Sequence, residues 1–270
     1  MAGSTDEGLD QFIRAGRDRT LSLVVVNLDQ PEQVRRMIDG VFADHPIDVS
    51  TLSSEGDGRD RLLLVEDGEI VAETPLRRFL NAYLLVNSDT YRTSRDQLNS
   101  LQLPDVLTEL DETVFTVRGY PIADKEKLLL ILLSRHVEQL AWEATGGTLR
   151  SGFQYLSRLD DEKGTCDVYR TLAGTDVETH VYGIPDSPGM VPSGVVSHTG
   201  RSAAYRDSWF VVFDPAGVEP ASGDREAGDA GQPGPAALVA TRTDGQTWRG
   251  VWTYDPDRVA AINAYLRSEL

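Results

Sequence analysis

Ser208-Trp209-Phe210-Val211-Val212-Phe213-Asp214, then Ala237-Leu238-Val239-Ala240-Thr241, then Thr247-Trp248-Arg249-Gly250-Val251-Trp252-Thr253-Tyr254 decide the fold. Each is a short run of β-branched and aromatic residues bounded by Asp, Gly or Pro, the signature of strands buried on at least one face. Pro256 then opens an amphipathic helix through Leu266. Residues 215–235 contain Gly, Pro, Ala and acidic side chains with no apolar anchor, and read as a flexible hairpin loop.

Working back from this stretch, Glu178 to Ile184 reads as a further strand, closed by Pro185-Asp186, and Cys166 to Ala173 as a helix before it. Asp124 caps a long helix to about Thr145, stopped by Gly146-Gly147. Its apolar residues cover more than one face, so it is either a central core helix or a dimer helix. Glu112 to Val117 alternates as a strand does. Nearer the start, Asp6 to Gly16 is a short helix, Leu21 to Leu28 a valine-rich strand and Pro31 to Phe42 a helix. Ile47 to Leu52 is a strand, and Arg61 to Val65 with Glu69 to Glu73 forms a hairpin around Glu66-Asp67-Gly68, followed by a helix from Pro75.

The order helix, strand, loop, strand, strand, helix occurs twice. Arg61-Leu62-Leu63-Leu64-Val65-Glu66-Asp67 parallels Ser208 to Asp214, and the Leu9 to Asp29 segment parallels Val168 to Asp186. The fold class expected is α/β (α+β): a mixed or mainly antiparallel sheet flanked by helices, built as one continuous sheet or as two related α/β units. The boundary falls after the polar stretch Asn87 to Leu103, giving an N-terminal α/β unit over residues 1–110 and a second unit over residues 111–270.

Charge narrows the function. The chain has 43 acidic against 26 basic residues, a net charge of -17. Such a surface repels nucleic acid phosphates. The only lysines are Lys125, Lys127 and Lys163; this acid-rich, lysine-poor balance resembles salt-adapted proteins, in which molar salt cuts the screening length to about 3 Å. No signal-peptide pattern occupies Met1 to Asp10, and the longest apolar run, Leu128 to Leu133, falls well short of the roughly 18 residues of a spanning helix. A cytoplasmic protein without membrane attachment is expected.

The motifs that announce catalysis are missing: no phosphate loop, dinucleotide turn, H-E-x-x-H, C-x-x-C, nucleophile elbow or EF-hand loop occurs, and Glu55-Gly56-Asp57-Gly58 reads as a plain turn. Cys166 is the single cysteine. His45, His136, His180 and His198 lack metal-ligand spacing, so no metal site is expected. His136 reads as a core or helix-surface group, whereas His180, beside Tyr182 and Gly183 on a strand, can aim an imidazole into a pocket. No autokinase motif accompanies any histidine.

Gly152-Phe153-Gln154-Tyr155-Leu156-Ser157, His180-Val181-Tyr182-Gly183-Ile184-Pro185-Asp186, Ser208 to Asp214, Ala237 to Ala240 and Gly250 to Asp255, in this order, resemble the DICT domain. That is a sensory domain found beside diguanylate cyclases and two-component proteins, and as near-solitary chains in halophilic archaea. The resemblance covers Glu112 to the C-terminus and has no catalytic residues to carry over. It implies a signal-input protein, not an enzyme, with a histidine kinase or regulator as partner and a small-molecule ligand of unknown identity; no cofactor follows from it. Phe153, Gln154, His180, Tyr182, Trp209 and Trp252 supply the aromatic and polar groups such a ligand pocket needs. The competing readings are a small hydrolase or transferase with an unrecognised site, and an adaptor without a ligand.

Overall fold

The structure is a computed structural model describing residues 8–17, 19–26, 32–42, 46–53, 60–87, 102–118, 128–161, 164–186, 191–215, 232–245 and 247–270. The Glu55 to Gly58 turn, the Asp124 cap and residues 216–231 of the acidic loop lie outside them. Two sheets carry the fold. The first has the order β2-β1-β3-β4, from β1 (Leu21–Val26), β2 (Ile47–Leu52), β3 (Arg61–Glu66) and β4 (Glu69–Pro75). The second has the order β5-β11-β10-β9-β6-β7-β8. Its strands are β5 (Phe115–Arg118), β6 (Gly147–Tyr155), β7 (Val177–Ile184), β8 (Val196–Thr199), β9 (Ser208–Asp214), β10 (Ala236–Asp244) and β11 (Thr247–Thr253).

The described helices are α1 (Asp10–Arg14), α2 (Glu32–Phe42), α3 (Leu76–Asn87), α4 (Asp105–Thr108), α5 (Leu128–Glu143), α6 (Arg158–Asp161), α7 (Thr165–Leu172), α8 (Ala203–Arg206) and α9 (Pro256–Glu269). The architecture is therefore the mixed α/β fold expected, with both parallel and antiparallel pairing.

The two sheets share a four-strand plan. In the first, β1 and β2 pair in parallel across α2, and β3 joins β1 antiparallel, with β4 outside it. In the second, β6 and β7 pair in parallel across α7, and β9 joins β6 antiparallel, with β10 outside it. The counterpart of β1 is thus β6, not the strand at Val177–Ile184 that the sequence parallel suggests; the likeness of β3 to β9 holds.

Local chemistry sets several boundaries. Asp67 and Gly68 take φ values of 50° and 87°, the left-handed pair a two-residue hairpin requires, so β3 and β4 close one residue tighter than the spacing suggests. Asp255 caps α9, its side chain accepting from the backbone N–H groups of Asp257 and Arg258 at 3.0 Å each, with Pro256 in the first turn. Such a cap contributes about 1 kcal/mol.

Helix α5 buries residues along most of its length. Leu129, Leu130, Leu132 and Leu133 pack with the first sheet, α2, α3 and the β10–β11 end of the second sheet in one continuous core. Farther along, Val137 and Ala141 pack over β6, β7 and β9. These contacts make α5 the central core helix. The opposite face of the second sheet is covered by α1, α8 and α9. Strand alternation divides the second sheet cleanly: Leu149, Val181, Val211 and Phe213 face α5 and α7, whereas Tyr182, Phe210, Val212, Val239 and Val251 face α9.

Candidate functional site

Strand β6 lies near the middle of the second sheet and has a cavity against each face. On the α5 side a narrow cleft is lined by Ser134, Arg135, Glu138, Phe153, Gln154, Arg158, Thr165 and Trp209, among others, with a volume of about 40 Å³, room for a few waters. A bulge in β6 shapes it. Three residues of β6 span the same length as two of β7, because Gly152 pairs with Tyr182 and Tyr155 with Ile184. Gln154 takes φ 56° within the bulge, an uncommon conformation for a side chain other than Gly, Asn or Asp. Its amide nitrogen donates to the Ser208 carbonyl at 2.5 Å, and its oxygen accepts from Arg158.

The floor of this cleft is a buried ion pair. Arg135 donates to Glu138 at 2.5 Å and to the Thr165 hydroxyl at 2.6 Å, and Tyr169 donates its phenol to the other Glu138 oxygen at 2.9 Å. Burial, with the Glu138 carboxylate beside it, pushes the Tyr169 phenol well above its ordinary range, so it stays a donor. Phe153 meets Tyr169 edge to face at 5.3 Å, and the Trp209 indole donates to Ser134 Oγ at 3.0 Å.

The α9 side of β6 carries a much larger cavity, of about 490 Å³, lined by Thr148, Arg150, Glu178, His180, Tyr182, His198, Asp214, Asn263, Leu266, Arg267 and Leu270. That is the size of ordinary small-molecule sites. His180 Nδ1 and His198 Nε2 stand 2.9 Å apart and share a hydrogen bond, while the His198 ring stacks on Tyr182 at 4.3 Å and 7°. Arg150 donates from Nε to Asn263 Oδ1 and from a terminal nitrogen to the Tyr182 hydroxyl, each at 2.6 Å; Asn263 in turn donates to Asp214 at 2.7 Å. Glu178 Oε1 stands 3.1 Å from His180 Nε2. Burial first, and the Arg150 charge second, pull both histidines below their ordinary pKa, while Glu178 works the other way. Both imidazoles are thus neutral at neutral pH, one donating to the other.

The residues expected to form one pocket are distributed over three places. Phe153, Gln154 and Trp209 share the narrow cleft, His180 and Tyr182 share the large cavity on the opposite face, and Trp252 is core. Trp252 is 2% exposed and its ring packs on Phe115 at 5.4 Å. Period-two alternation separates these groups, since His180 and Tyr182 point away from the face that Trp209 and Trp252 share. Arg150, His198, Asn263 and Arg267 escaped the sequence reading because Arg150 precedes the quoted Gly152 to Ser157 motif, His198 lies in a stretch read as loop, and the other two sit on an amphipathic helix. Arg135 and Glu138 carried one usable signal, opposite charges at i and i+3 of a helix whose first two turns are wholly apolar up to Leu133.

Among the described residues no group of three or more His, Cys, Asp or Glu is arranged to hold a metal, and no helix is long and apolar enough to cross a membrane. Residues 104–221 match the DICT family, described as a sensory domain in diguanylate cyclases and two-component system. Over these residues the chain is similar to a DICT domain. The DICT match runs from the start of α4 to just beyond β9, and so contains β6, β7, β8 and the walls they give to both cavities; β10, β11 and α9 follow it in sequence. DICT is a sensory domain, which accords with a sensing role for this chain. None of the curated proteins matches the chain. The crystal structure of polyphosphate kinase from Porphyromonas gingivalis aligns with 97% of this chain and 45% of that chain at 9% identity and a TM-score of 0.34. This chain therefore spans less than half the length of that kinase, and a likeness of this order bears on neither fold nor activity.

Proposed function

We propose that the chain is a cytoplasmic signal-input protein that binds a small molecule in the cavity between β6, β7, β8 and α9 and passes the change to a separate two-component or regulatory effector, such as a histidine kinase or response regulator. The observation that supports this reading is β6 itself. Arg150 faces the ligand-sized cavity, and three to four residues along the same strand Phe153 and Gln154 face the Arg135–Glu138 pair of α5. A ligand that draws Arg150 inward pulls on a bulged strand whose other face holds a buried charge pair, so the response reaches α5 through rigid, packed elements. In this reading Gln154, strained and doubly hydrogen-bonded, is the point where β6 changes shape.

A thermal-shift screen of the full chain against a metabolite library tests it. A ligand at 100 times its Kd stabilises the folded state by about 2.7 kcal/mol. The expected hit raises the Tm of the wild type, fails to do so in His180→Ala, and slows backbone hydrogen exchange in both β6 and α5. Hits indifferent to His180→Ala, or protection that stops at β6, would refute the reading.

A further inference from the structure

We infer that the molecule sensed in the large cavity is a small organic anion, gripped through a carboxylate or phosphate group by Arg150 from β6 and Arg267 from α9. This rests on the reading of that cavity as the sensory site. Arg150 is 6% exposed, and its hydrogen-bond partners, Asn263 Oδ1 and the Tyr182 hydroxyl, are both neutral. None of the ion pairs formed among the described residues involves Arg150 or Arg267. A guanidinium withdrawn from water without a counter-ion is costly, and folded proteins normally set a carboxylate against it, as this chain does for Arg135 and Glu138.

The two carboxylate side chains that line the cavity are otherwise engaged. Asp214 accepts from Asn263, whose amide lies between it and Arg150. Glu178 lies at the rim with its side chain 64% exposed and faces His180. The lining therefore offers two cations without carboxylate partners, in a chain of net charge -17. Asn263 and Arg267 are one turn apart on α9, so the second guanidinium projects from the helix face that orients the first. Two guanidiniums converging on one cavity match the paired oxygens of a carboxylate or phosphate. The stacked Tyr182 and His198 rings give the rest of the ligand a flat surface.

His180 and His198 make the grip respond to pH. The charged and titratable groups around them are Arg150 on β6, Glu178 and Tyr182 on β7, Asp214 on β9 and Arg267 on α9. A bound anion favours the protonated imidazoles, so affinity rises as pH falls through the histidine range.

The test uses the full chain and the Cε1–H signals of its four histidines, assigned by single His→Gln variants. Inorganic phosphate and citrate are titrated separately at fixed ionic strength, with glycerol and a diamine as neutral and cationic comparators. The expected result is a saturable shift of the His180 and His198 signals with at least one anion, and an upward move in their titration midpoints. The surface substitution Arg267→Ala weakens that binding about tenfold, Arg267→Lys retains part of it, and Arg150→Met abolishes it. Whichever probe binds tells phosphate from carboxylate recognition. No saturable shift with either anion, or equal affinity in Arg267→Ala, overturns the inference. Saturation by glycerol or the diamine alone overturns it too, while leaving the cavity as the sensory site.

Discussion

His136 makes the fold sensitive to acid by a calculable amount. It stands on α5, half-buried, with its ring edge-on to Tyr254 at 6.0 Å, and burial pulls its pKa from the ordinary 6.5 to about 4. Because the folded-state value lies below the unfolded one, the unfolded chain takes up the proton first as pH falls. The associated stability is present in full above pH 6.5 and is lost progressively down to about pH 4. At about 1.4 kcal/mol per pH unit, the difference corresponds to about 3 kcal/mol. His136→Phe keeps an aromatic edge against Tyr254 and removes the titration. Urea unfolding of both proteins, followed by tryptophan fluorescence at pH 7.5 and pH 4 and at fixed salt, isolates the effect. His180 and His198 titrate in both and cancel in the difference. The wild type is expected to lose about 3 kcal/mol more than the variant between the two pH values. Parallel losses would refute the burial of a neutral imidazole at this position.

Two further substitutions probe the walls of β6. Glu138→Gln removes the carboxylate that faces Arg135 and accepts from Tyr169, and is expected to cost about 3–5 kcal/mol in urea unfolding. The double variant Arg135→Met with Glu138→Leu should recover most of that loss, since it removes both charges together. Gly152→Ala sets a Cβ 2.5 Å from Phe210 Cε1, so thermal melting should report a destabilisation of about 1–3 kcal/mol, relieved by Phe210→Leu.

The sheet strands were legible where period-two patterning and turn chemistry agreed. Ser208 to Asp214 and Ile47 to Leu52 coincide with β9 and β2, and the Asp67-Gly68 turn marks the β3–β4 hairpin. Strand β6 was not legible as a strand, although it pairs on both sides, because Gly147, Arg150, Gly152 and Gln154 interrupt its apolar pattern; those departures are the ones that shape the two cavities. Strand β8 and helix α8 were read as loop because Ser187 to Tyr205 is polar and β8 is an edge of the sheet. The site suffered from a different limit. Aromatic and polar side chains could be chosen from the sequence, but assigning them to one pocket needs the face each strand presents. Opposite faces separate His180 and Tyr182 from Trp209.

The bulge at Gln154 has a consequence for how this strand can vary. Ahead of it, Ser151 and Phe153 look toward α5; beyond it, Tyr155 joins the α9 side and Leu156 the α5 side. The extra residue acts as a phase shift, reconciling two halves of one strand that would otherwise disagree about which way is in. A substitution within Gly152 to Leu156 disturbs the contacts of one side chain, whereas a single deletion there restores regular pleating and turns the residues after it inside out. In this segment chain length is held more tightly than chemical identity.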